Sequence, residues 1–168
     1  MKKIIISSII ILCFFVTGCK KNEEVISDGK KVNVSKMNHK ICSGEGTIDS
    51  NSKANMTYDI YYRDNIIYIL VSKQQVISSK KETLDIYEES FNEIRDHYTG
   101  LEYYDTEVNK NETSVEYIQT INYEKIDTNK LISIEGEKDN IIENGKAKLD
   151  KWLSLSSQFG VKCKEVEE

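Results

Sequence analysis

Three β-like runs joined by short turns fill residues 39–78, and they constrain the fold more than any other feature of the chain. In the second run, NMTYDIYYR, every second residue is apolar, which places Met56, Tyr58, Ile60 and Tyr62 on one face of a strand. Asp64 and Asn65 separate the second run from the third, and both residue types tolerate the positive φ of a tight hairpin. The pattern predicts an antiparallel meander of three strands.

An amphipathic helix is predicted directly after the meander. Its apolar residues recur at spacings of three and four: Leu84, Tyr87, Phe91, Ile94 and Tyr98. The segment from Ser79 to Glu82 has the spacing of a capping box, and Gly100 stands where a left-handed residue ends a helix. We expect Leu84, Phe91 and Ile94 to be buried.

The rest of the chain adds two strands, a second helix and a final strand. The strand-like runs are LEYYDTEV and TSVEYIQTINYEKI, the helix is expected from about Lys146 to Gln158, and the tail VKCKE is extended. DTNKLISIEGEKDN is read as one helical turn and a loop. The order βββ-α-ββ-α-β predicts an α+β fold, an antiparallel sheet of about five to six strands with two helices packed on one face.

The amino-terminal segment has the pattern of an export signal. Lys2 and Lys3 precede an apolar core of about 13 residues, which is shorter than the roughly 20 residues that span a bilayer. The following Val16-Thr17-Gly18-Cys19 resembles a bacterial lipobox, which predicts cleavage between Gly18 and Cys19 and acylation of Cys19. An ordinary signal peptide followed by an unrelated cysteine is the alternative.

These features divide the chain into three parts. Residues 1–18 are the predicted lipoprotein signal peptide, and the polar, aperiodic residues 19–37 are predicted to be a flexible tether. Residues 38–168 form one predicted domain. Acyl chains on Cys19 would hold this domain at the cell membrane on its extracytoplasmic side, because a lipid-modified cysteine with more than one chain binds bilayers stably.

Charge and motifs exclude several classes of function. Without the leader, 21 basic residues face 28 acidic ones, so the net charge is −7 and no dense basic run could bind nucleic acid. His39 and His97 lie 58 residues apart, and no metal, nucleotide or hydrolase motif is present, so we expect no metal and no cofactor. Pairs of carboxylates stay open, since spacing alone does not select any.

Two cysteines remain for a disulfide. Cys13 lies in the leader and Cys19 takes the lipid, which leaves Cys42 and Cys163. Leftover thiols outside the cytoplasm tend to pair, and this pair would tie the first strand of the meander to the last segment. The alternative is two buried free cysteines.

Ten tyrosines are the one compositional excess. Tyr61, Tyr62, Tyr103 and Tyr104 would put rings on both faces of their strands and form a binding surface for an envelope protein or a glycan. The alternative is that these tyrosines are simply good strand residues with a polar tip.

Several segments resemble one known family. The lipobox, the first hairpin, KKETLDIYEESFNEIRDHYTGLEY and the closing LDKWLSLSSQFGVKCKEV are together similar to the YehR-like lipoproteins, small bacterial envelope proteins of unknown function. SSQFGVK is the most distinctive match, and the loop GEKDNIIENGK is longer here. The resemblance implies the fold and an envelope location, and it supplies no catalytic residues.

The expected function is therefore that of a lipid-anchored extracytoplasmic module that binds or interacts at the cell envelope, and we do not expect an enzyme. Two alternatives stay open. One is an envelope enzyme with a carboxylate or tyrosine site, and the other is a purely structural or stress-linked lipoprotein.

Overall fold

A computed structural model describes residues 24–135 and 141–167 of the chain. The strands of this part are β1 (Glu24–Ser27), β2 (Lys30–Asn33), β3 (Asn38–Asp49), β4 (Ser52–Arg63), β5 (Ile66–Ser78), β6 (Tyr104–Lys110), β7 (Ser114–Asn122), β8 (Ile142–Glu143), β9 (Lys146–Ala147) and β10 (Lys162–Glu165). Its helices are α1 (Lys81–His97), α2 (Thr128–Glu135) and α3 (Leu149–Ser157).

Six of these strands form one antiparallel sheet. Their order is β10-β3-β4-β5-β7-β6, so the predicted meander is its central part and the last strand lies beside the first of the meander. Asp64 and Asn65 form the turn between β4 and β5 with φ of 45° and 63°. Both the predicted α+β fold with a sheet of about six strands and the predicted tight hairpin are confirmed.

α1 and α3 pack on the same face of the sheet, which we call the helix face. The strand register places Cys42 beside Tyr58 and Tyr58 beside Ser72, so these side chains share one face. Trp152 of α3 contacts Tyr58 edge to face, with ring centroids 5.0 Å apart. Further along the same face, α1 packs onto β5 and β7 through a cluster formed by Leu84, Phe91, Val76, Val115 and Tyr117. The prediction that helices cover one face is confirmed.

The predicted helix α1 is confirmed, but two of its details are wrong. Leu84 is 1% exposed and Phe91 is buried, whereas Ile94 is 39% exposed. At 3.6 residues per turn, Ile94 points about 60° away from the direction of Phe91, while Leu84 lies within about 20° of it. The predicted capping box does not form, because Lys80 is the N-cap residue and its side chain makes no cap hydrogen bond.

The carboxy-terminal third differs from the prediction in its helices. The stretch read as one turn and a loop holds α2, which begins after Asp127 and buries Leu131 completely. Asp127 Oδ1 caps it by accepting hydrogen bonds from the backbone N–H groups of Asn129 and Lys130. α3 begins at Leu149, since the preceding β9 pairs with β8 instead of extending the helix.

A β-hairpin formed by β1 and β2 covers part of the other face of the sheet. Val25 and Val32 pack against a buried cluster made by Val34, Met37, Tyr61 and Ile69. The predicted tether over residues 19–37 is therefore wrong from Glu24 onward. Each of these short strands contributes a single valine to the contact with the sheet. One apolar residue per strand gives no alternating pattern from which the strands could have been predicted. Residues 19–23 lie outside the described part, as do the predicted signal peptide, its cleavage site after Gly18, and Cys19.

Candidate binding surface

The sheet face opposite the helices is left uncovered beyond the β1–β2 hairpin, as far as the described residues extend. The strand register places six polar side chains of four neighbouring strands on this surface, which we call the open face: Ser43, Asn55, Thr57, Lys73, Gln75 and Glu116. All six are half-buried or exposed. The register also places Ile77 and Ile118, both half-buried, on this face, so the open face is mixed but mostly polar. A polar outer face is expected when helices cover only one side of an antiparallel sheet.

Hydrogen bonds join the open-face side chains across three strands. Glu116 on β7 accepts a hydrogen bond from Gln75 Nε2 at 2.6 Å. It also forms an ion pair with Lys73, whose Nζ lies 2.7 Å away. Gln75 Oε1 in turn accepts a hydrogen bond from Asn55 Nδ2 on β4 at 3.4 Å. This ladder holds amide and carboxylate groups at fixed positions, so that they are arranged before any partner arrives.

Asn55 also contributes to a hollow at one end of the open face. The hollow has a volume of ≈ 300 Å³ and is lined by Glu45, Gly46, Thr47, Lys53 and Asn55. Among the described residues, no group hydrogen-bonds the buried Oδ1 of Asn55. A buried amide oxygen without a partner costs about 1–3 kcal/mol.

Tyr61 and Tyr62 do not belong to an exposed surface. Tyr61 is 1% exposed beneath the β1–β2 hairpin, and its ring stacks on His39 at 4.4 Å. Burial, and second the charge of Asp59, raise the pKa of the Tyr61 phenol to about 12. Tyr62 is half-buried on the helix side and donates a hydrogen bond to Glu165 Oε1 at 2.7 Å.

Tyr103 and Tyr104 are likewise separated from the open face. Tyr103 is half-buried with φ of 64°, and the ammonium of Lys125 lies 5.7 Å from its ring centroid. Tyr104 is buried on the helix face under Tyr98, with ring centroids 4.1 Å apart. The predicted tyrosine surface is thus contradicted, because the structure buries two of the four rings and brings no set of them together on one exposed face.

A polar network on the helix face explains why Tyr104 is inside. Gln119 accepts a hydrogen bond from Ser72 Oγ at 3.0 Å and donates one to the Tyr104 hydroxyl. Burial raises the pKa of Tyr104, so its phenol stays protonated at neutral pH. Gln119 interrupts the apolar face of β7 in the sequence, and the structure pairs it across the sheet. This network joins β5, β7 and β6 across the sheet and is partly buried.

The predicted disulfide between Cys42 and Cys163 is confirmed. The two residues are directly opposite in β3 and β10, with Cα atoms 4.0 Å apart and a bond between their sulfurs. Glu165 strengthens the same junction by binding Lys40 and Tyr62. Burial raises the pKa of Glu165, but the hydrogen bonds from Lys40 and Tyr62 outweigh it and leave that pKa below its ordinary value.

His39 lies on the opposite face from Cys42 and takes part in a separate contact. Its Nε2 is 2.7 Å from Asp59 Oδ1, so the ring is held between a carboxylate and Tyr61. Within residues 24–135 and 141–167, no three His, Cys, Asp or Glu side chains converge on a possible metal position. The helices of the same ranges are too short or too polar to cross a membrane.

The open face was missed by the sequence reasoning, although a signal for it exists. Asn55 and Thr57 alternate with apolar residues in β4, and Lys73 and Gln75 lie in a run of four polar residues in β5. The apolar positions were used to find the core, and the intervening polar ones were passed over as solvent-facing. Only the pairing of strands reveals that they form one continuous surface.

Comparisons with known proteins give a likeness of fold. The chain is similar to the Escherichia coli YehR protein, solved by NMR, with a TM-score of 0.51 and 14% identity over 79% of this chain and 93% of that one. It is also similar to a Streptococcus pneumoniae TIGR4 protein solved by NMR, with a TM-score of 0.45 and 15% identity over 98% and 96% of the two chains. No protein-family model and no curated protein matches the chain. The resemblance to YehR is therefore supported as a fold.

Proposed function

We propose that this chain is a lipid-anchored envelope protein, held on the outer side of a membrane by an acylated Cys19, whose open face binds a polar partner. The Cys42–Cys163 disulfide is the observation that carries the proposed location. Disulfides persist mainly in oxidising compartments outside the cytoplasm. The bond therefore agrees with the leader and lipobox pattern that precede the domain.

The chemistry of the open face favours a protein as the partner. Its side chains offer two amides, two hydroxyls, a lysine and a carboxylate on one face of the sheet. None of the six residues that define it is aromatic, so it lacks the rings on which the apolar face of a sugar stacks. A polar protein surface with complementary donors and acceptors fits these groups better than a glycan does.

Replacing Cys19 tests the anchor. The Cys19→Ala variant should move from the membrane fraction to the soluble extracytoplasmic fraction, because it has no thiol to acylate. A Cys163→Ser variant is the matched control, since it also removes one cysteine and should stay on the membrane. Membrane retention of Cys19→Ala equal to that of the unmodified chain would refute the anchor.

Site-specific cross-linking in intact cells tests the binding surface. A photoreactive residue at Thr57, which is exposed in the centre of the open face, should give a discrete adduct with one protein. The same residue at Glu89, exposed on α1 on the other side of the sheet, is the control and should not. Equal adducts at both positions, or a glycan adduct at Thr57, would contradict a protein partner at the open face.

A further inference from the structure

The β1–β2 hairpin begins much closer to the proposed lipid anchor than the sequence suggests. Glu24 follows Cys19 by five positions, and an extended chain spans at most about 3.6 Å per residue, so the two lie within about 18 Å. The hairpin is itself packed on the sheet through Val25 and Val32. The domain is therefore held close to its anchor, on the side where the hairpin lies.

The outer side of this hairpin carries a combination of groups suited to a lipid surface. Val25 and Ser27 face the sheet, whereas Ile26 between them is 64% exposed and is paired with Lys31 across the hairpin. Lys31 shares the outer side with Ile26, whereas the register pairs Lys30 with Ser27 on the sheet-facing side, next to the turn. Both lysines nevertheless expose 71% of their side chains. An exposed isoleucine beside lysines can enter the boundary between headgroups and acyl chains while the ammonium groups stay at the phosphates.

Charge along the chain has the sign that an anionic bilayer requires. Residues 19–37 carry five lysines and three acidic residues, a net charge of +2, whereas residues 38–168 carry −9. The excess lies in the residues that flank the hairpin, because Glu24 and Asp28 balance Lys30 and Lys31 within it. The lysines of the hairpin pair with Asp28 at 3.7 Å and with Glu24 at 2.7 Å, and both pairs are exposed. Exposed ion pairs contribute only about 0–1 kcal/mol, so lipid phosphates can replace these partners at little cost.

We propose that the β1–β2 hairpin docks on the bilayer, with Ile26 at the acyl boundary and Lys30 and Lys31 at anionic lipid phosphates. This inference rests on the proposed acylation of Cys19. Docking on this side points the helix face away from the membrane and turns the open face toward the bilayer, with the hairpin lying between the sheet and the lipid. It turns a tethered domain into one with a fixed orientation.

The test uses the full lipidated protein in vesicles of phosphatidylcholine and phosphatidylglycerol. An environment-sensitive fluorophore is attached through Ile26→Cys or, as the matched control, through Phe159→Cys. Phe159 is 72% exposed and follows α3 on the opposite side of the sheet. The label at position 26 should shift to shorter wavelength and lose quenching by aqueous iodide, whereas the label at position 159 should keep both properties of the free dye.

The outcomes separate this inference from the proposed anchor. Protein that floats with the vesicles but shows equal iodide quenching at both positions would refute docking and leave the anchor standing. Protein that does not float would refute the anchor, and the docking with it. Lys30→Glu combined with Lys31→Glu should restore iodide quenching at position 26 without releasing the protein, and unchanged protection there would remove the lysines from the proposal.

Discussion

Breaking the Cys42–Cys163 disulfide should remove much of the stability of the domain. The two cysteines are 121 residues apart in sequence, and closing a loop of that length contributes up to about 5 kcal/mol in the chain-entropy model. All four residues of β10 are exposed, so the strand itself buries little surface that could compensate. Small domains are stable by only about 5–15 kcal/mol, which makes this one bond a large share of the total.

Urea unfolding of the chain from Lys20 onward measures this effect. Cys163→Ser should lower the free energy of unfolding by about 2–5 kcal/mol. With a slope of about 1–3 kcal/mol per molar urea, the midpoint should fall by about 1 M or more. The slope should also rise, because the unfolded chain without the bond is more expanded.

Cys42→Ser should destabilise the domain more than Cys163→Ser does. Cys42 is 0% exposed in the main core, so Cys42→Ser buries a hydroxyl and should cost about 1–3 kcal/mol more than Cys163→Ser. The unmodified chain treated with dithiothreitol should match Cys163→Ser, which itself should not respond to reductant. A loss below about 1 kcal/mol on reduction would refute the reasoning from loop length.

Two further predictions concern side chains whose burial the structure defines. Leu84→Ala should lower the free energy of unfolding by about 2–5 kcal/mol, and Ile94→Ala, at an exposed position of the same helix, by less than about 1 kcal/mol. Equal losses in urea unfolding would contradict the orientation of α1. Burial and Asp59 raise the pKa of Tyr61 to about 12 from 10.0, so the stability that the neutral phenol provides is complete below pH 10 and is lost as the pH rises to about 12. Tyr61→Phe should reduce this alkaline loss of stability, and an unchanged pH profile would show that Tyr61 is not responsible.

Local periodicity made the central sheet and α1 predictable. The alternation of β4, the turn at Asp64 and Asn65, and the spacing of Leu84 and Phe91 all depend on residues that are close in sequence. The disulfide was predictable for a different reason, since only Cys42 and Cys163 remained once the other two cysteines had been assigned to the predicted leader and the predicted lipobox.

The candidate site was less predictable because exposure is decided by distant parts of the chain. Tyr61 and Thr57 lie on the same face of β4, yet the β1–β2 hairpin covers Tyr61 and leaves Thr57 accessible. Tyrosine has both an apolar ring and a polar tip, so its pattern in a strand is the same whether it is covered or not. The hairpin that makes the difference contributes too few apolar residues to be recognised in advance.

Beyond its contribution to stability, the disulfide between β3 and β10 keeps one edge of β3 covered. β10 pairs with Lys40, Ile41, Cys42 and Ser43, and in the described part of the chain it is the neighbour that satisfies the outer backbone groups of β3 there. In a reduced chain this short strand could detach, which would expose the unpaired backbone groups along the edge of β3. A second copy of the chain could then pair with that edge, and such pairing initiates aggregation of β-sheet proteins. Oxidation thus also protects the protein from pairing with itself, and reduced material should form β-rich aggregates at concentrations where oxidised material stays dispersed.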